Sequence, residues 1–375
     1  MPNTRPIRTL LPMACDGVGP SMTCINISTG MHNAGYAVDI FANRQKMRSR
    51  DLKMRVALAG PFANIPYRWI SAPASKWIER RFVHDVALGD IAYLWPAVSL
   101  ETHRILHDRG IPIVLEGINT RMASARRILD EVYADFGIEP MHGLSDERIA
   151  EEEAKFEYAS AIFAPNSDVE KALIGSSLEQ HALPSSYGVD TTKASPERSY
   201  SDKRDLTFIF CGYACVRKGT HYMLEAWKDM PGNHKLQLVG KIEPVIAERY
   251  RDLLASDRVE VVGFVDDVHA YFSQADVFLM PSLEEGGPQV TYEAALHGLP
   301  IIASAMGASR IGDTPDSMII IDPAQISDFR DAMEELTASA ERRETLGRKA
   351  RQLAFKFDWM DVGARRADLL AEHFR

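Results

Sequence analysis

Pro281-Ser282-Leu283-Glu284-Glu285-Gly286-Gly287-Pro288-Gln289-Val290-Thr291-Tyr292-Glu293-Ala294-Ala295-Leu296-His297-Gly298-Leu299-Pro300 is a loop and a helix held between two apolar runs. Val277-Phe278-Leu279-Met280 before it and Pro300-Ile301-Ile302-Ala303 after it read as buried parallel strands. Pro288 suits the first turn of the helix, where a missing N–H costs nothing, and Gly298 suits the position just past its end. The loop therefore follows the carboxyl end of a strand, which is where open α/β sheets bind ligands.

Gly286 and Gly287 leave backbone amides unobstructed at the positive end of that helix, open to a phosphate or a sugar oxygen. Glu285 in the loop and Glu293 in the helix are carboxylates able to grip the vicinal hydroxyls of a sugar and a ribose. The plain alternative is a glycine-rich turn with solvated glutamates. Upstream, Leu206-Thr207-Phe208-Ile209-Phe210 ends in Cys211-Gly212, and Arg217-Lys218-Gly219 precedes another helical stretch. Two cations after a strand can neutralise charge that builds on a departing diphosphate. Elsewhere such a pair is ordinary solvated surface.

Outward from these loops the chain alternates strands and helices. Strands are expected at residues 7–14, 36–41, 90–95, 111–115 and 161–164, then at 206–210, 235–239, 259–262, 277–280 and 300–303. Pro112 should delay the start of its strand. Asp16-Gly17-Val18-Gly19-Pro20 reads as a tight loop before a helix. A polar stretch from about 183 to 205 reads as a linker. The 375 residues exceed the usual single-domain size. The expectation is an N-terminal Rossmann-like domain over 1–195, a second over 196–358, and a terminal helix over 359–375 packing back on the first.

Composition narrows the class. Hydrophobic residues make up 46% of the chain and charged residues 25%, as in ordinary globular proteins. A formal charge of -9 offers no overall basic field for nucleic acid. Cys15, Cys24, Cys211 and Cys215 make neither a zinc-site spacing nor a disulfide framework, and read as buried thiols. The apolar run after Arg5 and Arg8 is too short for a leader, and Pro12 interrupts it. No stretch approaches the roughly 20 apolar residues that span a bilayer. A cytoplasmic location is expected. Within 44–81, Arg44, Lys46, Arg48, Arg50, Lys53, Arg55, Arg68, Lys76, Arg80 and Arg81 face only Asp51 and Glu79, with Trp69 and Trp77 among them. That stretch suits an anionic membrane or a phosphorylated acceptor, or is a solvated basic face.

Taken in order, these segments resemble the retaining GT-B-fold glycosyltransferases of family four, marked by an E-x7-E motif, here Glu285 to Glu293. The likeness runs over most of residues 150–325. It includes Ala164-Pro165-Asn166-Ser167, Tyr187-Gly188-Val189-Asp190 for the family's N-G-V-D, Arg217-Lys218-Gly219, Gly263-Phe264-Val265 and Ala275 to Ser282. The resemblance implies a nucleotide-sugar donor, with no metal and no cofactor. The acceptor would be a carbohydrate or a lipid-linked molecule, as in cell-surface polysaccharide or glycolipid synthesis.

It further implies that Lys218 and Arg217 meet the diphosphate, that Glu293 binds the ribose and that Val265 meets the base. Glu285 with the Gly286 and Gly287 amides would hold the transferred sugar, Val290 would be a further donor contact, and Gly17 and Gly19 would close from the other domain. Three positions depart from the family: Tyr213 stands for an arginine, Gly307-Ala308-Ser309-Arg310 for a glycine-rich stretch, and Glu116-Gly117 for a histidine. Glu116 is either a weak catalytic base that orients the acceptor or a structural carboxylate. Two competing classes remain, a catalytically reduced nucleotide-sugar-binding protein and a nicotinamide oxidoreductase suggested by Gly17-x-Gly19. The second lacks the third glycine.

Overall fold

A computed structural model describes residues 5–46, 52–60, 62, 65–202 and 205–375. Arg48 and Arg50 of the basic stretch, and Lys203 and Arg204 of the linker, lie outside the described residues. Two parallel sheets organise the chain. The first runs β3-β2-β1-β4-β5-β6-β7, built from β1 (Ile7–Cys15), β2 (Val38–Gln45), β3 (Lys53–Leu58), β4 (Ile91–Leu94), β5 (Ile113–Glu116), β6 (Ala161–Ala164) and β7 (Ala182–Pro184). The second runs β10-β9-β8-β11-β12-β13, from β8 (Thr207–Cys211), β9 (Lys235–Val239), β10 (Val259–Gly263), β11 (Val277–Met280), β12 (Ile301–Ala303) and β13 (Ile319–Ile320).

The central strands are buried on both faces. Each residue of β11 is wholly enclosed, and burying a side chain of that size stabilises the fold by about 1.5–3 kcal/mol. Ten strands fall where the sequence places them, and β5 begins after Pro112. β3, β7 and β13 were not foreseen. β7 also corrects the linker, whose first residues pair with β6 as part of the first sheet. Later linker residues bind the second half: Arg198 donates to the carbonyls of His297 (3.0 Å) and Phe272 (2.6 Å), and Tyr200 to that of Gly298 (2.6 Å).

The helix Trp359–His373 returns to the first half and packs along the helix Pro20–Asn33. Its Arg366 reaches the end of β5, where the guanidinium meets Glu116 at 2.6 and 3.2 Å and Tyr93 donates to the same carboxylate. All four cysteines are buried and unpaired. Burial, followed by the Asp16 charge, pushes the Cys15 thiol up to about 12. Such thiols are inert, in keeping with a structural role.

Candidate active site

Strand order reverses between β1 and β4 in one sheet and between β8 and β11 in the other. At such a switch point the loops leaving two neighbouring strands diverge and open a crevice. In the second sheet β8 and β11 pair only through Phe208 and Phe278's neighbourhood, Phe208 with Val277 and Ile209 with Phe278, and the loops beyond carry the charged residues. This is why Arg217-Lys218 and Glu284-Glu285, 67 positions apart, come together.

The cationic turn is locally fixed. Residues Val216–Lys218 form one 3-10 turn, whose Val216 amide donates to the buried Glu243 carboxylate at 2.9 Å. Gly219 ends it with φ 64°, and a Cβ there would lie 2.1 Å from the Pro281 carbonyl. Only glycine meets both demands. The Leu283 amide donates to the Arg217 carbonyl at 3.0 Å, lacing the two loops.

Lys218 Nζ donates to Glu285 Oε1, and Arg217 Nη1 lies 3.4 Å from the same oxygen. Arg217 also donates to the Glu284 carbonyl (2.7 Å) and carboxylate (3.3 Å). Burial pushes the Glu285 carboxyl up, but Lys218 and then Arg217 outweigh it and hold it below the usual carboxylate range. The acid is thus ionised and ion-paired. An ammonium carries three donor hydrogens, so Lys218 retains capacity for a phosphate oxygen while holding Glu285.

Glu293 is the opposite case. It sits in the helix Gln289–Leu296, and burial alone pushes its carboxyl up to about 7. Burial raises the Cys211 thiol at the end of β8, the Glu293 charge raises it further and the Lys218 charge lowers it. Because the native state favours the proton, Glu293 weakens folding progressively as pH rises from its unfolded value near 4.5 through about 7. We expect Glu293→Gln to raise the unfolding free energy at pH 8 by on the order of 1–2 kcal/mol, and with it the unfolding midpoint. The gain should vanish at pH 4. A midpoint at pH 8 no higher than the parent's would show that burial does not strain this acid.

Pro288 stands just before the helix, not in its first turn as the sequence suggested, and Gly298 follows it with φ 71°. Among the described residues, no acceptor meets the amides of Gly286, Gly287, Gln289 or Val290. The first half of the chain closes over this loop. Asn166 Nδ2 donates to the Gly286 carbonyl at 2.8 Å, and Thr120 donates to Glu284 through its amide (3.1 Å) and hydroxyl (2.9 Å). Gln289 bonds Thr23. A Cβ on Gly286 would stand 1.8 Å from the Ile118 carbonyl, so the two halves touch backbone to backbone.

The loop of Gly17 and Gly19 lies beside Thr23, both glycines at positive φ. Its Gly17 and Val18 amides both donate to Ser21 Oγ, at 3.1 and 3.2 Å. Val265, half-buried, lies beyond β10 at the sheet edge, two strands from β8. Of the two readings left open for Glu116, the geometry favours the structural one: its side chain is fully enclosed and ion-paired to Arg366. Arg310 has a role that its sequence position did not reveal. It bonds the Ser185 (2.7 Å) and Ala164 (3.0 Å) carbonyls and Glu170, tying the second half to the first. Tyr187 forms a wall of the site: it packs under Gly287 and beside Arg366, its ring centroid 5.6 Å from the guanidinium carbon.

A cavity of about 770 Å³ opens next to the ion pairs. Trp95 to Val98 and Gly117 to Met122 line it on one side, and Tyr213, Arg217 and Glu284 on the other. Lys218, Glu285 and Glu293 are not among its lining residues; Lys218 and Glu285 join it only through their ion pairs with the neighbouring Arg217 and Glu284 loop.

Comparison with known proteins bears on this arrangement. Residues 205–339 match the family Glycosyl transferases group 1. That segment holds both charged loops. A D-inositol 3-phosphate glycosyltransferase of Paenarthrobacter aurescens is 34% identical over 99 residues, 26% of this chain and 24% of that protein. An MMP alpha-(1->4)-mannosyltransferase of Mycolicibacterium hassiacum is 28% identical over 214 residues, 54% of this chain and 50% of that one. The chain thus spans half or less of the length of these curated relatives. Among solved structures, sucrose-phosphate synthase from Thermosynechococcus elongatus aligns with a TM-score of 0.75 at 18% identity, covering 99% of both chains. Anabaena HepE, solved in complex with UDP and glucose, aligns at 0.68 with 15% identity over 98% of this chain and 100% of that one. The likeness establishes the fold, GT-B.

Proposed function

We propose that this chain is a retaining glycosyltransferase that moves a sugar from a nucleoside diphosphate to an acceptor hydroxyl, its lysine meeting the diphosphate charge without a metal ion. The reading is supported above all by Lys218 paired to Glu285 beside unbonded helix-start amides, at a switch point faced by the other domain. Lys218 takes the diphosphate, and Arg217 adds positive potential from its seat on Glu284. Glu293, as the carboxylate, accepts from the ribose hydroxyls. Glu285 and the amides of Gly286, Gly287 and Val290 take the sugar end, while Gly17 and Gly19 approach from the first domain. Val265 meets the base.

The sugar's C1–O bond to the diphosphate breaks as C1 bonds to the acceptor oxygen on the same face. The acceptor's proton passes to the departing phosphate oxygen. The adjoining cavity holds a carbohydrate or lipid-linked acceptor and excludes water.

The test is thermal unfolding with UDP, GDP, ADP and their sugars. A cognate diphosphate at a hundred times its Kd should stabilise the fold by about 2.7 kcal/mol, a shift of a few degrees. Its affinity should rise from pH 6 to pH 8, as Glu293 ionises. No shift with any nucleotide would end the proposal. The exposed Tyr213, where the family carries arginine, favours a second reading, a nucleotide-sugar-binding protein of reduced activity. Slow release of free sugar from the cognate donor separates the two, since a purely binding protein releases none.

A further inference from the structure

The helix Tyr67–Asp85 is apolar on two opposite sides. Its inner face buries Ala74, Ile78 and Phe82. Its outer face carries Trp69 and Trp77, 69% and 46% exposed, with Pro73 exposed between them. Spacing of four residues places these three in one row along the helix. Exposed Arg68, Lys76, Arg80 and Arg81 flank the row. The guanidinium carbon of Arg68 lies 5.4 Å from the Trp69 ring, and that of Arg81 lies 5.4 Å from the Trp77 ring.

The acids of this helix are turned away or neutralised. Glu79 is buried on Ser99 and Thr102. Asp85 is half-buried, 2.9 Å from Arg55 and 3.5 Å from Arg81, with His84 at 3.0 Å. The outward stripe therefore joins two indoles to four cations, on a chain whose net charge is -9. Indoles, with an apolar body and one polar N–H, suit the headgroup layer of a bilayer, and arginine and lysine suit its anionic surface. The rest of this acidic chain is repelled by such a surface, so charge selects this face. A soluble polyanion satisfies the cations but leaves both indoles in water.

We propose that this helix face docks on an anionic lipid bilayer, with Trp69 and Trp77 entering the headgroup layer. Among the described residues no helix is long and apolar enough to cross a membrane, so the contact is peripheral. The helix begins at the carboxyl edge of the first sheet, where Asn43 donates to both Tyr67 (2.8 Å) and the Pro12 carbonyl (3.0 Å). Trp69 thus stands on the side where the cleft opens. That a lipid-borne acceptor is delivered there rests on the transferase reading; docking itself does not.

The chain reports its own docking. Of its five tryptophans, Trp95, Trp227 and Trp359 are buried, so a change in emission on binding comes from Trp69 and Trp77. The full chain should sediment with vesicles of phosphatidylcholine containing about one third phosphatidylglycerol, and not with phosphatidylcholine alone. Its emission should shift to the blue, brominated acyl chains should quench it, and raising salt from 0.1 to 0.5 M should weaken binding. Trp69→Ser with Trp77→Ser should abolish the shift and cost at least tenfold in affinity. Arg68→Gln and Arg80→Gln should each cost about fivefold. All four sites are exposed, and an unchanged circular dichroism spectrum confirms that the variants fold. Failure to bind anionic vesicles overturns the proposal, as does a double-tryptophan variant that binds like the parent. So does full competition by heparin with no emission shift.

Discussion

Lys218→Ala should lower turnover by about 10²–10³-fold at saturating donor and acceptor, while affinity for the nucleoside diphosphate falls by less than about tenfold. The reason is where charge appears. A bound diphosphate ester already carries negative charge, but cleavage of the C1–O bond adds more to the oxygen nearest the sugar. A cation fixed by a 3-10 turn, a steric glycine and a carboxylate partner costs nothing to reorganise at that moment. Lys218→Arg should recover part of the loss in charge but not the geometry, since a planar guanidinium does not point where an ammonium does. Lys218→Ala also frees Glu285 from the nearer of its two cations, so its carboxyl rises. The stability that this ion pair gives is present above the unfolded carboxylate value and is lost as pH falls through the depressed native one, so Lys218→Ala should also lessen the protein's loss of stability in acid. Turnover within threefold of the parent would remove Lys218 from the chemistry.

The parts of the fold that the sequence revealed are the parts whose cause is local. Strands buried on both faces must be apolar runs, and β4, β6, β11 and β12 announce themselves that way. The three strands that the sequence left unseen, β3, β7 and β13, all lie at sheet edges. One is alternately charged (Lys53-Met54-Arg55), and the others are three and two residues long. Edge strands are kept short or charged to prevent pairing with other chains, which erases the pattern that would betray them.

The site divides in the same manner. Gly286-Gly287 and Arg217-Lys218 were legible because glycine and paired charge beside a strand end have few local uses. Glu284 was overlooked although it is the acid that Thr120 crosses the cleft to meet, 164 residues away. Asn166 and Arg310 likewise act over 120 and more positions. Nothing near them in the chain encodes the partner. A visible hint was the adjacency of two acids on one loop to two cations on the other, which asks for two pairings and not one.

Glu116 is the sharpest instance, and its substitution separates structure from catalysis. Its partner Arg366 lies 250 positions later, and the pair is sealed from solvent with Tyr93 bonded to the same carboxylate. Arg366 also donates to the Ser186 carbonyl at 2.9 Å and lies over the Phe163 ring at 4.7 Å. Glu116→Ala strands a guanidinium in the core, and the fold should lose about 3–5 kcal/mol in denaturant unfolding. Glu116→Gln keeps the shape but not the charge and should lose less. Removing both partners together, as Glu116→Leu with Arg366→Met, should recover much of the single-site loss, because paired burial of charges is costly in itself. Throughout, turnover per folded molecule should stay within about threefold of the parent below the unfolding range. A general base would behave in reverse: Glu116→Gln would fold normally and stop the reaction, and its pH–rate profile would lose a limb. The terminal helix, on this account, fastens the first half of the chain by burying Arg366 at the end of β5, and catalysis is left to the residues across the gap.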